Sequence, residues 1–300
     1  MSSGILLVDK PAGMTSHDVV SRVRRLAGTR KVGHAGTLDP MATGLLILGL
    51  DSSTRLLTYL VGLPKVYEAT IRLGFATTTD DSEGEALGAA VDTSSISPEA
   101  IAVAIVPLTG EIQQVPSSVS AIKVDGKRSY DRVRAGEEFT LAARTVTVTA
   151  FDVLEVRGSS AIDLDVRVAC SSGTYIRALA RDLGAALGVG GHLTALRRTS
   201  VGPFDVGHAG GLDDSLLSSL LDPASVASRL FPTVQLTEDE ATALAQGKRP
   251  ALANLAAGLA DHPGPVAAIA GTDTLTGLVS TSGGVARVLV NFPTDEVRGS

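Results

Sequence analysis

Three stretches of this chain alternate polar and apolar residues so regularly that they demand a sheet with one buried face. In "KVYEATIRLGF", Tyr67, Ala69, Ile71, Leu73 and Phe75 fall on one side, and Glu68, Thr70 and Arg72 on the other. "RTVTVTAFDVLEV" and "AIDLDVRVACSSG" alternate in the same way and meet at Gly158, which predicts an antiparallel pair. Helical patterns lie around them. "TSHDVVSRVRRLAG" offers Thr15 or Ser16 as a cap, Val19, Val20, Val23 and Leu26 at helical spacing, and Gly28 as the stop. "SPEAIAVAIVPLTG" opens on Ser97-Pro98, and "TYIRALARDLGAALG" carries Ile176, Leu179, Ala180, Leu183 and Leu187 on one stripe. "GLLILGL" is short, apolar and bounded by glycines, and reads as a buried strand or the start of a buried helix. Strands and helices that do not strictly interleave predict an α+β architecture with a mixed, largely antiparallel sheet flanked by helices.

After Gly202 the composition shifts to Ser, Leu and Asp, with no Lys or Arg from 203 to 228. A second unit is expected from residue 231 to 300. Thr237 and Glu240 make a capping box there, and "PVAAIAG", "LTGLVST" and "GVARVLVNF" read as strands. Residues 1–230 then form the larger domain.

Composition removes several classes of function. With 44% hydrophobic residues the chain folds, yet no apolar run reaches the ~18 residues of a membrane span. Four consecutive apolar residues before Asp9 are too few for a secretory segment, and a single cysteine, Cys170, fits a reducing compartment. The expected location is the cytoplasm. The five histidines share no ligand spacing, so no metal centre is expected. "GHAGTLDPMATG" lacks the lysine of a phosphate-cradling loop, and neither a dinucleotide fingerprint nor a serine nucleophile elbow occurs. Any catalysis is expected to be cofactor-free and run by a side-chain oxygen or nitrogen.

The net charge of −6 argues against a polyanionic partner only on average. Residues 73–122 contain no base, whereas 123–134, "KVDGKRSYDRVR", contain five bases against two acids. Twenty of the 26 bases are Arg, a bias that a GC-rich genome would also produce. The distribution permits RNA or DNA and demands neither.

Between Gly33 and Gly44, in "GHAGTLDPMATG", Asp39 precedes a proline. Alone, such an aspartate is a turn residue, His34 a loop histidine, Tyr67 a core tyrosine and Leu196 an ordinary core leucine. The loop as a whole is a different object: a rigid, glycine-rich turn delivered by a buried element holds one carboxylate still.

"GHAGTLDPMATGLL" resembles the catalytic loop of the TruB-type tRNA pseudouridine synthases, and "LLVDKPAGMTSHDVV" resembles their N-terminal motif. The likeness runs in order through "YEATIRLG", "VPSSVSAIKVDGKRSYDRVRAG", "CSSGTYIRALARDLG" and "GGHLTALRRTSVG", from about residue 4 to 203. It implies a catalytic Asp39 that converts uridine to pseudouridine at position 55 in the T-loop of tRNA, with no cofactor. It also implies that Arg177 pairs with that carboxylate, favouring the ionised form, and that Tyr67 stacks on the base. By the same resemblance Tyr175 and Leu196 line the uracil pocket and His34 holds the opened tRNA loop. Lys10 and Arg197 fall in the same motifs and join the expected RNA contacts. Residues 123–148 match an RNA-clamping insertion, with Lys123, Lys127 and Arg128 against the RNA, and 231–300 resemble a PUA-type RNA-binding domain. Thr78, Ser117 and Val119 depart from the family pattern, outside the catalytic set.

The rival reading is an RNA-binding or tRNA-folding protein without chemistry, for which an Asp39–Arg177–Tyr67 set has no use. Binding and opening the loop would itself aid tRNA folding. A guide-RNA-dependent relative is disfavoured by the lack of long basic extensions, so neither guide RNA nor obligate protein partner is implied.

Overall fold

The computed structural model describes residues 3–117, 123–124, 127–128, 142–158 and 160–292. In chain order the larger sheet region contains β1 (Gly4–Lys10), β2 (Val32–His34), β3 (Thr43–Leu50), β4 (Lys65–Leu73), the short β5 (Ala76–Thr77) and β6 (Ala86–Leu87), and β7 (Gly110–Gln114). It continues with the two-residue β8 (Lys123–Val124) and β9 (Lys127–Arg128), then β10 (Arg144–Arg157), β11 (Asp163–Cys170), β12 (Gly191–Val201) and β13 (Phe204–Asp205). Among the described residues the principal sheet has the order β1-β3-β12-β4-β11-β10-β7, with β2 on β3 and β13 on β12.

Three helices matter for the site: α1 (Ser16–Ala27), α2 (Leu57–Val61) and, after α3 (Pro98–Ile105), α4 (Ile176–Ala186). Thr15 caps α1, with Asp18 closing a capping box, and Gly28 ends it in the left-handed conformation. Ser16, the other candidate cap, lies inside the helix. Its hydroxyl exchanges hydrogen bonds with the backbone of Leu38, accepting from the N–H at 2.9 Å and donating to the carbonyl at 3.1 Å.

The alternating strands behave as their pattern requires. β4 buries Tyr67, Ala69, Ile71 and Leu73 against the helices and turns Glu68, Thr70 and Arg72 away. β10 and β11 pair antiparallel across the turn at Gly158. "GLLILGL" shows no alternation because β3 is buried on both faces. Leu46 and Leu48 join the core under α1, while Leu45 and Ile47 join a second core with Ala267 and Leu278. Each such fully buried aliphatic side chain contributes about 2 kcal/mol.

The second core exists because a four-stranded sheet packs behind β1 and β3. Its strands are β14 (Thr233–Leu236), β15 (Val266–Ala270), β16 (Thr274–Ser282) and β17 (Val285–Asn291). The sequence pattern shows the last three; β14 runs parallel to β15 and is too short to announce itself. The Thr237–Glu240 capping box forms as expected.

One departure from a regular sheet positions the site. β3 and β12 pair, in parallel, only at Arg197↔Thr43 and Arg198↔Gly44, and there the sheet divides. Gly44 makes this approach possible: it has φ +96°, and a Cβ would lie 2.2 Å from the carbonyl oxygen of Arg198. The loop carrying Asp39 enters β3 at this division.

Candidate active site

Asp39 sits in a loop pinned on both sides. Ser16 holds Leu38, and the Pro40 carbonyl accepts from the Gly13 N–H at 2.9 Å and from the Lys10 ammonium at 3.2 Å. Lys10 is fully buried and also donates to the carbonyls of Pro11 and Met14. Of the two roles the resemblance allows for this lysine, structural or phosphate-facing, the surroundings favour the first: sealed under three carbonyls, it braces the loop and presents nothing to solvent, which removes it from the RNA contacts. Burial lowers its pKa from 10.5 to about 8, although the nearby Asp39 charge works the other way.

Arg177, at the first turn of α4, is 4% exposed and joins two carboxylates. Its Nε lies 3.0 Å from Asp39 Oδ2, and its Nη1 lies 3.2 Å from Asp81 Oδ2 while donating to the Thr79 carbonyl at 2.9 Å. About a third of the Asp39 side chain stays open, 34%, whereas Asp81 is sealed. Arg177 favours the ionised form of Asp39, but its charge is not the largest effect on that carboxylate. Loss of water around the carboxylate is the largest effect and raises its pKa. Arg177 pulls it down and Asp81 pushes it up again, leaving the net direction upward. One guanidinium shared by two carboxylates does not fully compensate the burial of Asp39.

The open side of Asp39 faces a cavity of about 330 Å³. Tyr67, Tyr175, Arg177 and Leu196 line it together with Asp39, so five expected site residues come from β4, α4 and its approach, β12 and the loop before β3. Tyr67 is 8% exposed, and burial raises the pKa of its hydroxyl. Tyr175 is held by its backbone, whose N–H donates to Gln114 Oε1 and whose carbonyl accepts from Gln114 Nε2.

The remaining expectations fare differently. His34 lies in β2 outside the lining, its ring 5.7 Å from His17 in an edge contact, and burial lowers its pKa. Arg197 is on the solvent face of β12, but both terminal nitrogens are engaged by Asp9, at 3.0 and 2.7 Å. Its charge is thereby matched, which weakens it as a phosphate contact. Lys123, Lys127 and Arg128 fall in a segment whose side chains lie outside the described residues, as does most of the expected clamp.

Sequence reasoning missed Asp81, Lys65 and Arg198. Asp81 is one of seven acids in a base-free stretch, with nothing local to single it out. Lys65 lines the cavity and donates to the carbonyls of Val61 and Leu63, both at 2.6 Å; burial brings its pKa to about 8. Arg198 is two residues from the inward-facing Leu196, and strand alternation applied to "LTALRRTSV" would have turned it inward.

A divided sheet with an aspartate at the division, an arginine behind it and an aromatic across the cavity defines a class of protein. Residues 24–176 match the family model described as the TruB family pseudouridylate synthase N-terminal domain, so that class is the pseudouridine synthases. Residues 177–225 match the tRNA pseudouridylate synthase B C-terminal domain. The chain is 62% identical over 301 residues to "tRNA pseudouridine synthase B" of Leifsonia xyli subsp. xyli, covering 99% of each chain. It is 56% identical to the protein of the same name in Arthrobacter sp., covering all of both. The chain belongs to the TruB family of pseudouridylate synthases. Among solved structures, a Cbf5-Nop10-Gar1 complex matches with TM-score 0.71 and 26% identity, over 97% of this chain and 84% of that one. An H/ACA RNP bound to a substrate RNA containing 2′-deoxyuridine matches with TM-score 0.69 and 25% identity, over 97% and 86%. No described helix is long and apolar enough to cross a membrane.

Proposed function

We propose that the chain isomerises uridine to pseudouridine at position 55 in the T-loop of tRNA, with Asp39 as the catalytic carboxylate. The observation that carries this reading is the Asp39–Arg177 pair, 3.0 Å apart, with its open carboxylate edge facing a cavity bounded by Tyr67. The names of the curated relatives supply the substrate class, tRNA.

The reaction breaks the N1–C1′ bond of uridine and forms a C5–C1′ bond, with the C5 proton lost and N1 ending protonated. Nothing is oxidised, so no cofactor is required. Asp39 can attack C1′, add to C6 or take a sugar proton; each route starts from the ionised carboxylate. Arg177 fixes its rotamer and opposes the upward shift in its pKa. The target base must leave its stack, which costs a few kcal/mol and is offset by stacking on Tyr67 within a cavity of about 330 Å³. Tyr175 and Leu196 complete the walls, and His34, outside the lining, holds the opened tRNA loop. Residues 123–148 serve as the RNA clamp and 231–300 as a PUA-like RNA-binding domain. Opening the loop also assists tRNA folding.

The test is to map pseudouridine in tRNA from cells lacking the protein and complemented with Asp39→Asn. The expected result is loss of the modification at position 55 in both, with tRNA binding retained by the purified variant. Modification restored by Asp39→Asn would overturn the assignment.

A further inference from the structure

Arg198 is 1% exposed and forms no ion pair among the described residues. An unmatched guanidinium is costly to bury, so its other contacts must account for it. Its Nε donates to the Leu45 carbonyl at 2.7 Å and its Nη2 to the Gly36 carbonyl at 3.1 Å, and in the antiparallel β12–β4 pair it stands directly opposite Tyr67, with which it lines the cavity.

These contacts fall on both ends of the loop that presents Asp39. Gly36, at its start, has φ +96° and packs against the Arg198 guanidinium; a Cβ there would lie 3.6 Å from Nη1. Gly44, at its end, has φ +96° and approaches the Arg198 backbone so closely that only glycine fits. The third contact reaches β4, a different strand, at the one aromatic expected to stack on the substrate.

We propose that Arg198 is the positioning residue that sets the separation between the Asp39 carboxylate and the Tyr67 ring. It acts through the Gly36 carbonyl on one side and its cross-strand place against Tyr67 on the other, without touching the reacting atoms. The inference rests on the reading of Asp39 and Tyr67 as catalytic and stacking residues. Lys65 cannot replace it, because its ammonium is committed to Val61 and Leu63.

The experiment is a double-mutant cycle on single-turnover rate at saturating tRNA, with tRNA affinity and thermal unfolding measured on each protein. Arg198→Met is expected to lower the rate per folded molecule about tenfold or more, with affinity changed less than about threefold. Tyr67→Leu, which removes the ring that Arg198 positions, should cost several-fold less in the Arg198→Met background than in the wild type. Arg198→Lys keeps the charge but not the fork of donors, and should stay near the Arg198→Met rate. If Arg198→Met does not fold, the same cycle is run with Arg198→Lys. Additive losses, or a rate per folded molecule equal to that of the wild type, would overturn the proposal. Turnover retained by Asp39→Asn or Tyr67→Leu would instead overturn the functional reading beneath it, so the two failures are distinguishable.

Discussion

The buried ammonium of Lys10 donates to the carbonyl of Pro40, the residue next to the Asp39 carboxylate. Lys10→Met removes a donor shared by three carbonyls and is expected to destabilise the fold by about 2–4 kcal/mol. The sign of its pH dependence follows from its pKa. In the native state that value is about 8, against 10.5 when unfolded, so between them the unfolded chain holds a proton that the native chain lacks. The native state is penalised fully below pH 8, and the penalty fades as pH rises toward 10.5. Urea unfolding at several pH values should show the wild-type advantage over Lys10→Met growing across that window. A constant difference would mean that the lysine titrates normally.

Asp81 raises the pKa of Asp39 while sharing its arginine. Asp81→Asn should therefore move the acid limb of the pH–rate profile to lower pH. The plateau rate should also fall, because Arg177 loses the charge of one of the two carboxylates that orient it. An acid limb that moves upward, or not at all, would show that the limb belongs to another group.

Tyr67 is buried deeply enough to be an ordinary core residue, and one substitution separates the two roles. Tyr67→Leu keeps an apolar side chain on the same face of β4, so stability should fall by no more than about 1–2 kcal/mol. Single-turnover rate should fall by orders of magnitude. Proportionate losses of both would return Tyr67 to the core.

Gly44→Ala places a methyl group 2.2 Å from the Arg198 carbonyl oxygen, at a φ that side chains rarely adopt. The expected cost is about 2–4 kcal/mol, with a larger loss of turnover as the division between β3 and β12 is forced open. Full activity at unchanged melting temperature would mean that the close approach is not maintained in solution.

Charge reversal at Lys127 and Arg128 to Glu should weaken tRNA binding and flatten its dependence on salt, since fewer counterions are released on binding. Unchanged affinity would exclude this segment from the RNA interface.

Much of the architecture is legible in the chain because it depends on short-range periodicity. β4, β11 and the first half of β10 alternate because each has one face in the core, and α1 and α4 repeat every three to four residues for the same reason. Caps at Thr15 and Thr237 and left-handed glycines at 28 and 158 mark their boundaries. The loop from Gly33 to Gly44, with Asp39 at its centre, stands out by its motif, and Arg177, Tyr67, Tyr175 and Leu196 follow from the resemblance that motif carries. Lys10 and Arg197 are named by the same motifs, yet their roles are set by what surrounds them: three carbonyls for one and Asp9 for the other.

By itself, then, the sequence determined the alternating strands β4, β10 and β11, the helices α1 and α4 and the loop that carries Asp39, because those properties are written in neighbouring residues. Only the tertiary structure decided the electrostatics of that carboxylate. Asp39, Asp81 and Arg177 are separated by up to 138 residues of chain and meet because α4 and the two loops converge at the division of the sheet. The same convergence buries Arg198 between Gly36, Leu45 and its cross-strand partner Tyr67. Burial and through-space charge have no sequence period, so the residues they couple become visible only once the chain has folded.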